Sequence, residues 1–280
     1  MKSQVLRRFE SKLEDMNDQL CYFLFSDIEV NKILSKLEHD VLDAYTTDVY
    51  NNNEFSERLH VKIEALPEFR ARAFHSLVSM GVIASVEYLL SYIEEIEEFR
   101  AYVMPSDYDD VTDKKPEEQL RVKLSNWLGE DPESAVIKTM AYLRLRRNHI
   151  AHVREEMSDG YSSLVKNDSN YLNNYWSKQP TELNGFDFSK ISFSEFEVNE
   201  IFALINLSRV CMRKVDSLIL STISEESIAN YELPAFLANK KLNGLTFDIK
   251  SRKFNAFLQH QYGKNMSCAD AVLRAHVENS

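Results

Sequence analysis

Glycine and proline are scarce in this chain, at six each in 280 residues. Folds built from many short strands need more turn residues than that, so long helices are expected. There are only three cysteines, Cys21, Cys211 and Cys268, far apart and odd in number. That excludes a disulfide framework or a zinc ribbon and points to inert, buried thiols in a reducing compartment, the cytoplasm. No apolar run approaches the roughly 20 residues of a membrane span. The opening MKSQVLRRFESKLEDMNDQL mixes both charges, so neither a signal peptide, a transit peptide nor a membrane partner is expected. Basic charge is also in deficit: 33 Lys and Arg stand against 44 Asp and Glu, a formal net charge of -11. A general duplex-DNA binder usually presents a broad basic face, which this balance disfavours. A local basic cleft stays open.

What is present is helical periodicity. The chain is 44% hydrophobic, enough for one large domain or a core with appendages. Val5, Leu6, Phe9, Leu13, Met16, Leu20 and Leu24 recur at steps near three and four, the mark of an amphipathic helix. Ser26-Asp27 interrupts it or caps a second helix over about 31–49, so an N-terminal helical hairpin is expected. From Pro67 to Tyr102 one long helix is apolar through its middle except at Glu87, which suits a central position in a bundle. Further helices are expected over 117–128, with Gly129 as C-cap, from Asp131-Pro132 to near Ser158, and from about 193 to 222. Residues 159–193 read as an irregular Asn-, Ser- and Tyr-rich connection, and 242–247 as a short strand. The expected class is all-α, with a helical extension over 1–64, a core over 65–222 and a small C-terminal module over 223–280.

One segment departs from the acidic background. Between Lys138 and Arg154 stand five basic residues and two histidines, with no carboxylate. On a helix with Met140 at zero, Leu143, Arg147, Ile150 and Ala151 share one stripe, so Arg147 sits on an apolar face. Asn148 and His152 lie on a second stripe with Ile137, Ala141 and Leu145. A buried, unpaired guanidinium is very costly, so Arg147 needs a carboxylate, a phosphate or water. Arg144, Arg146 and Arg154 surround it and raise the local potential for RNA. Imidazole exchanges protons near neutral pH, and arginine grips phosphate through a planar fork. The combination suits metal-independent RNA cleavage.

The hexapeptide Arg147-Asn148-His149-Ile150-Ala151-His152 resembles the Arg-Asn-x-x-x-His form of the motif of the HEPN superfamily. The resemblance covers roughly 65–222 and implies an all-helical bundle. Many members are ribonucleases of toxin–antitoxin, abortive-infection or CRISPR systems. It further implies that Arg147 and His152 carry cleavage, that Asn148 orients one of them, and that Glu87 on an earlier long helix supports the site with His149 beside it. Homodimers with a composite site, a protein inhibitor or antitoxin, no cofactor and a 2′,3′-cyclic phosphate product would follow. The small toxins paired with nucleotidyltransferases often carry Tyr two residues past the histidine. Arg154 holds that place here, a departure from that subgroup.

Plainer readings stand beside these. Arg147 and His152 could be structural, with Arg147 paired to Glu87, in a non-catalytic interaction protein. His149 and His152 could suit a metal, yet no third ligand has a convincing spacing. Glu94, Glu95, Glu97 and Glu98 read as a solvated helix end. Tyr171, Tyr175, Trp176 and Lys178 mix aromatics with a base as single-stranded RNA sites do, though packing accounts for Trp127 and Trp176.

Overall fold

The computed structural model describes residues 1–37, 41–105, 114–151, 157–181, 183, 186–190 and 197–278. Among these the chain is all-α. Its helices are α1 (Gln4–Leu34), α2 (Thr46–Val49), α3 (Ser56–Leu59), α4 (Leu66–Val103), α5 (Pro116–Leu128), α6 (Ser134–Ala151), α7 (Asp159–Trp176), α8 (Val198–Ser221), α9 (Glu225–Leu237), α10 (Phe247–Tyr262) and α11 (Ala269–Glu278). An isolated antiparallel bridge joins Tyr45 and Lys62.

The centre is α4, against which α1, α6 and α8 pack. Proline in its first turn costs no helical hydrogen bond and presets φ, so the helix starts there. Val82, Val86, Leu89, Tyr92 and Ile96 along its middle are buried in the shared core. The 63–103 helix is also long and apolar enough, by length and composition, to cross a membrane. This corrects the reading that no segment reaches that length. Its buried apolar residues face α1, α6 and α8, as the core helix of a bundle requires, while Met80 and Tyr102 are exposed.

The N-terminal hairpin forms with a different partner. In α1, Ser3 caps the start by accepting from the Leu6 N–H at 2.9 Å. Leu6, Phe9, Leu13, Met16 and Leu20 then bury one stripe in the core shared with α4 and α8. The helix runs on through Ser26-Asp27 because Arg70 of α4 donates to both Asp27 carboxylate oxygens and, at 2.8 Å, to Asn31 Oδ1. Asp27 is a mid-helix tether, not a cap. No second long helix fills 31–49 among the described residues: α1 itself runs on to Leu34, and the single turn of α2 follows. The antiparallel mate of α1 is α4, so a boundary at residue 64 cuts through one continuous core.

The chain start is locked into that core. The Ser3 N–H donates to Asp216 Oδ2 of α8 at 3.0 Å, and the Ser3 hydroxyl donates to the other oxygen. The Tyr92 hydroxyl adds a third donor at 3.1 Å. Burial pushes the Asp216 carboxyl above its ordinary range, although these donors pull the other way. The Lys2 N–H donates to the Tyr262 carbonyl at 3.0 Å, tying α1 to α10.

Two further expectations need correcting. The connection expected over 159–193 contains the 18-residue α7. Ser158 caps it, and Tyr161, Val165, Leu172 and Trp176 form one buried stripe with Ser169. Its asparagines and serines lie mostly on the other faces, where they mask the pattern. Instead of a strand at 242–247 there is a 3-10 turn at Lys240–Leu242, with α10 beginning at Phe247. The α9, α10 and α11 helices pack on one another, with Phe236, Phe254 and Phe257 in ring contact.

Candidate functional site

The basic segment occupies α6, and the helix buries two faces, not one. Val136, Met140 and Leu143 form the apolar face expected from the pattern. Ala135, Thr139, Tyr142 and Arg146 form a second buried face toward α7 and α8. Its members are small, hydroxylated or charged, so apolar periodicity does not reveal it. Thr139 accepts from the Trp176 indole N–H of α7 at 2.8 Å, fixing this side.

The three arginines of α6 point to three different helices. Arg144 donates through Nε (2.8 Å) and Nη2 (2.6 Å) to the two oxygens of Glu117 in α5, a fork-to-fork pair. Arg146 pairs with Glu200 in the first turn of α8 and donates to the Tyr142 hydroxyl at 2.8 Å. Arg147 pairs with Glu87 of α4 and donates to Asn148 Oδ1 at 2.7 Å. The pairs differ in access to water. Side-chain exposure is 13% and 7% for Arg144 and Glu117, and 1% and 4% for Arg146 and Glu200. For Arg147 and Glu87 it is 28% and 41%.

Two predicted RNA contacts are therefore corrected. Arg146 is fully enclosed and neutralised by a buried carboxylate, so it is a core residue and presents nothing to a phosphate. Arg144 is mostly shielded and already bidentate. The sequence missed their partners, Glu117 and Glu200, because an acidic residue in a helix's first turn is ordinary. The structure does bring Arg147, Asn148 and Glu87 together. Arg147 Nε is shielded and has no partner among the described residues. His149 lies half-buried on the same last turn. His152 and Arg154 lie outside the described residues.

The surrounding expectations divide. Of the four glutamates read as a solvated end of α4, Glu94 and Glu98 are exposed. Glu97 is buried and accepts from Lys123 of α5 at 2.6 Å, and Glu95 pairs with Arg8. Burial pushes the Glu97 carboxyl up against the pull of Lys123. The aromatic run of α7 is engaged within the fold. Trp176 is buried, the Tyr175 hydroxyl donates to Glu133 at 2.6 Å, and Tyr171 shares a hydrogen bond with Ser134 at 2.9 Å. Of the cysteines, Cys211 is buried, Cys268 half-buried and Cys21 exposed, which corrects the expectation of three buried thiols. Burial pushes the Cys211 thiol up to about 12.

Comparison with protein-family profiles, with curated proteins and with solved structures returns no match for this chain.

Proposed function

We propose that the chain is a metal-independent endoribonuclease of the HEPN type, an effector of toxin or antiphage-defence systems. One observation carries the reading: of the three arginine pairs on α6, only Arg147 with Glu87 is open to solvent. A surface pair in high dielectric is worth little, so a phosphate can displace Glu87 at small cost. In this reading Arg147 holds the scissile phosphate and neutralises its growing charge. His152 takes the proton from the ribose 2′-OH, whose oxygen attacks the adjacent phosphorus. The P–O5′ bond breaks, leaving a 2′,3′-cyclic phosphate, and the departing oxygen is protonated to a 5′-OH. Asn148 steadies the guanidinium it accepts from. A homodimer with a composite site and a protein inhibitor belong to the same proposal.

A second reading is favoured by a different observation. Arg144 and Arg146 are cancelled inside the fold by Glu117 and Glu200. With Lys138 held by Asp168, three of the segment's five basic groups are paired within the fold, which suits a non-catalytic interaction protein. Cleavage of mixed single-stranded RNA and tRNA in EDTA separates the two. Cleavage by wild type that is lost in both Arg147→Ala and His152→Ala supports the nuclease. Folded wild type that neither binds nor cuts RNA supports the interaction protein.

A further inference from the structure

Arg144 and Arg146 of α6 are drawn inward, and the fold leaves a different set of cations unpaired. Between Lys240 and Lys253 there are five basic residues and one carboxylate, Asp248. Among the described residues no carboxylate pairs with Lys240, Lys241, Lys250 or Lys253, nor with Arg274 of α11. Lys240, Lys241, Lys253 and Arg274 are exposed, and Lys250 is half-buried.

These groups are dispersed in sequence, and the fold gathers them. Phe236, near the end of α9, meets Phe254 and Phe257 of α10 at 4.9 and 5.7 Å between ring centroids. Both residues lie about 20–40° round α10 from Lys250. The chain between the two helices therefore returns to Phe247 along the side that carries Lys250. It reverses in a type II turn: the Leu245 N–H donates to the Leu242 carbonyl at 3.2 Å, Asn243 is extended and Gly244 takes a φ of 78°. Leu242 is buried and pins the turn. Lys240 and Lys241 thus stand beside the first turns of α10. There Phe247, Lys250 and Lys253 follow at i, i+3 spacing, as neighbours on the helix surface. Arg274 lies over the Phe247 ring, 5.0 Å from its centroid, and extends the row. Asp248 is about 140–160° round the helix from both lysines. Asp270 of α11 accepts from Ser251 and Asn255 on another face.

We infer that this corner of the C-terminal module is a binding surface for single-stranded RNA, which it holds by the phosphate backbone. Like charges at this spacing repel one another, so the cluster does not stabilise the fold. Meeting a row of phosphates reverses the sign of the interaction and releases counterions. From Phe247 to Lys253 the row runs about 9 Å along α10, with Lys240 and Lys241 beside it, enough for several successive phosphates. The shape of the charge selects the partner. The chain as a whole carries -11 and repels a broad anionic plane such as a bilayer, whereas a single strand can touch the basic corner alone. No exposed large apolar side chain lies between Tyr231 and Val277, so the surface offers nothing to insert into a membrane. Lysines on phosphates position a strand without reading its bases, so little sequence preference is expected. The inference rests on the proposed function only in naming RNA as the polyanion: this surface anchors a strand, and Arg147 on α6 is not part of it.

The test is fluorescence anisotropy of the full chain with a labelled 2′-O-methyl oligouridine of about 20 nucleotides, which lacks the free 2′-OH that cleavage needs. Titrations are made in EDTA from about 50 to 200 mM KCl. Lys250→Ala/Lys253→Ala is expected to weaken binding about 25-fold at roughly 0.1 M salt, with unchanged circular dichroism. The slope of log K against log salt should fall by about 1.4, two contacts at about 0.7 each. Lys240→Ala/Lys241→Ala should do the same. Lys36→Ala/Lys166→Ala removes equal charge from exposed positions elsewhere and should leave affinity within about 2-fold. Equal weakening by all three pairs overturns the inference, as does a wild type that fails to bind at the lowest salt. Sedimentation with phosphatidylserine vesicles without oligonucleotide binding overturns it in favour of a lipid surface. The nuclease reading fails separately: a wild type that binds with this pattern yet leaves unmodified RNA intact in EDTA supports the surface and removes the cleavage.

Discussion

Arg146 offers the sharpest test of the physical reasoning, because sequence and structure give it opposite roles. As a surface RNA contact, its loss would leave stability unchanged and weaken binding. As the buried partner of Glu200, its loss strands a carboxylate that is only 4% exposed. Arg146→Met keeps most of the stem's packing and removes only the charged head. Removing one partner of a buried ion pair costs about 3–5 kcal/mol, a large share of the roughly 5–15 kcal/mol of a typical domain. At roughly 2–4 °C per kcal/mol for chains approaching this size, the thermal midpoint should fall by about 6–20 °C. Glu200→Leu alone should cost a similar amount, since it strands the cation. The double variant Arg146→Met/Glu200→Leu should recover most of the loss, because two apolar groups replace a pair whose desolvation nearly cancels its attraction. The assay is urea unfolding followed by circular dichroism for wild type, both single variants and the double variant. A single-variant cost below about 1 kcal/mol, or strict additivity of the two, would refute the assignment.

Arg147→Ala should behave oppositely: its pair is open to solvent, so stability should change by no more than about 1 kcal/mol while RNA cleavage in EDTA is lost. A midpoint drop as large as that of Arg146→Met would show Arg147 to be structural. Asp216 has a raised carboxyl because of burial, so its protonated form is the one the fold prefers. The stability it contributes is complete below the ordinary aspartate value of 3.8 and declines as pH rises through the folded value. The stability of wild type relative to Asp216→Asn should accordingly fall from pH 4 upward in a series of urea titrations; a difference that grows with pH would contradict this. In thiol labelling of the native protein at pH 8, Cys21 should react quickly and Cys211 only after unfolding, because one is exposed and the other is buried with its thiol near 12. Fast native labelling at Cys211, read by mass spectrometry, would contradict its placement in the core.

How much of this was legible beforehand depended on the kind of signal. The apolar stretch around Glu87 gave the central helix, because a helix apolar on most sides has one stable place in a bundle. Pro67 and Gly129 marked boundaries through backbone geometry alone, and Gly129 takes the left-handed φ of 76° that its place past α5 requires. Helix α7 was hidden because its buried stripe is spaced by asparagine and serine. The run of α1 past Asp27 was hidden because its cause, Arg70, lies 43 residues away.

The sequence by itself determined that this protein is all-α, that α4 is its axis, and that basic groups concentrate on one helix. Those properties follow from composition and from periodicities that act over a few turns. Only the tertiary structure decided what each arginine of α6 meets. Arg144, Arg146 and Arg147 differ little by local pattern, but a helix turns 100° per residue, so neighbours in sequence meet different helices. Glu117 and Glu200 happen to be buried where two of them arrive, and Glu87 is open where the third does. Whether a charge pair is buried or left open to solvent is set by what lies across the interface, which the sequence does not place.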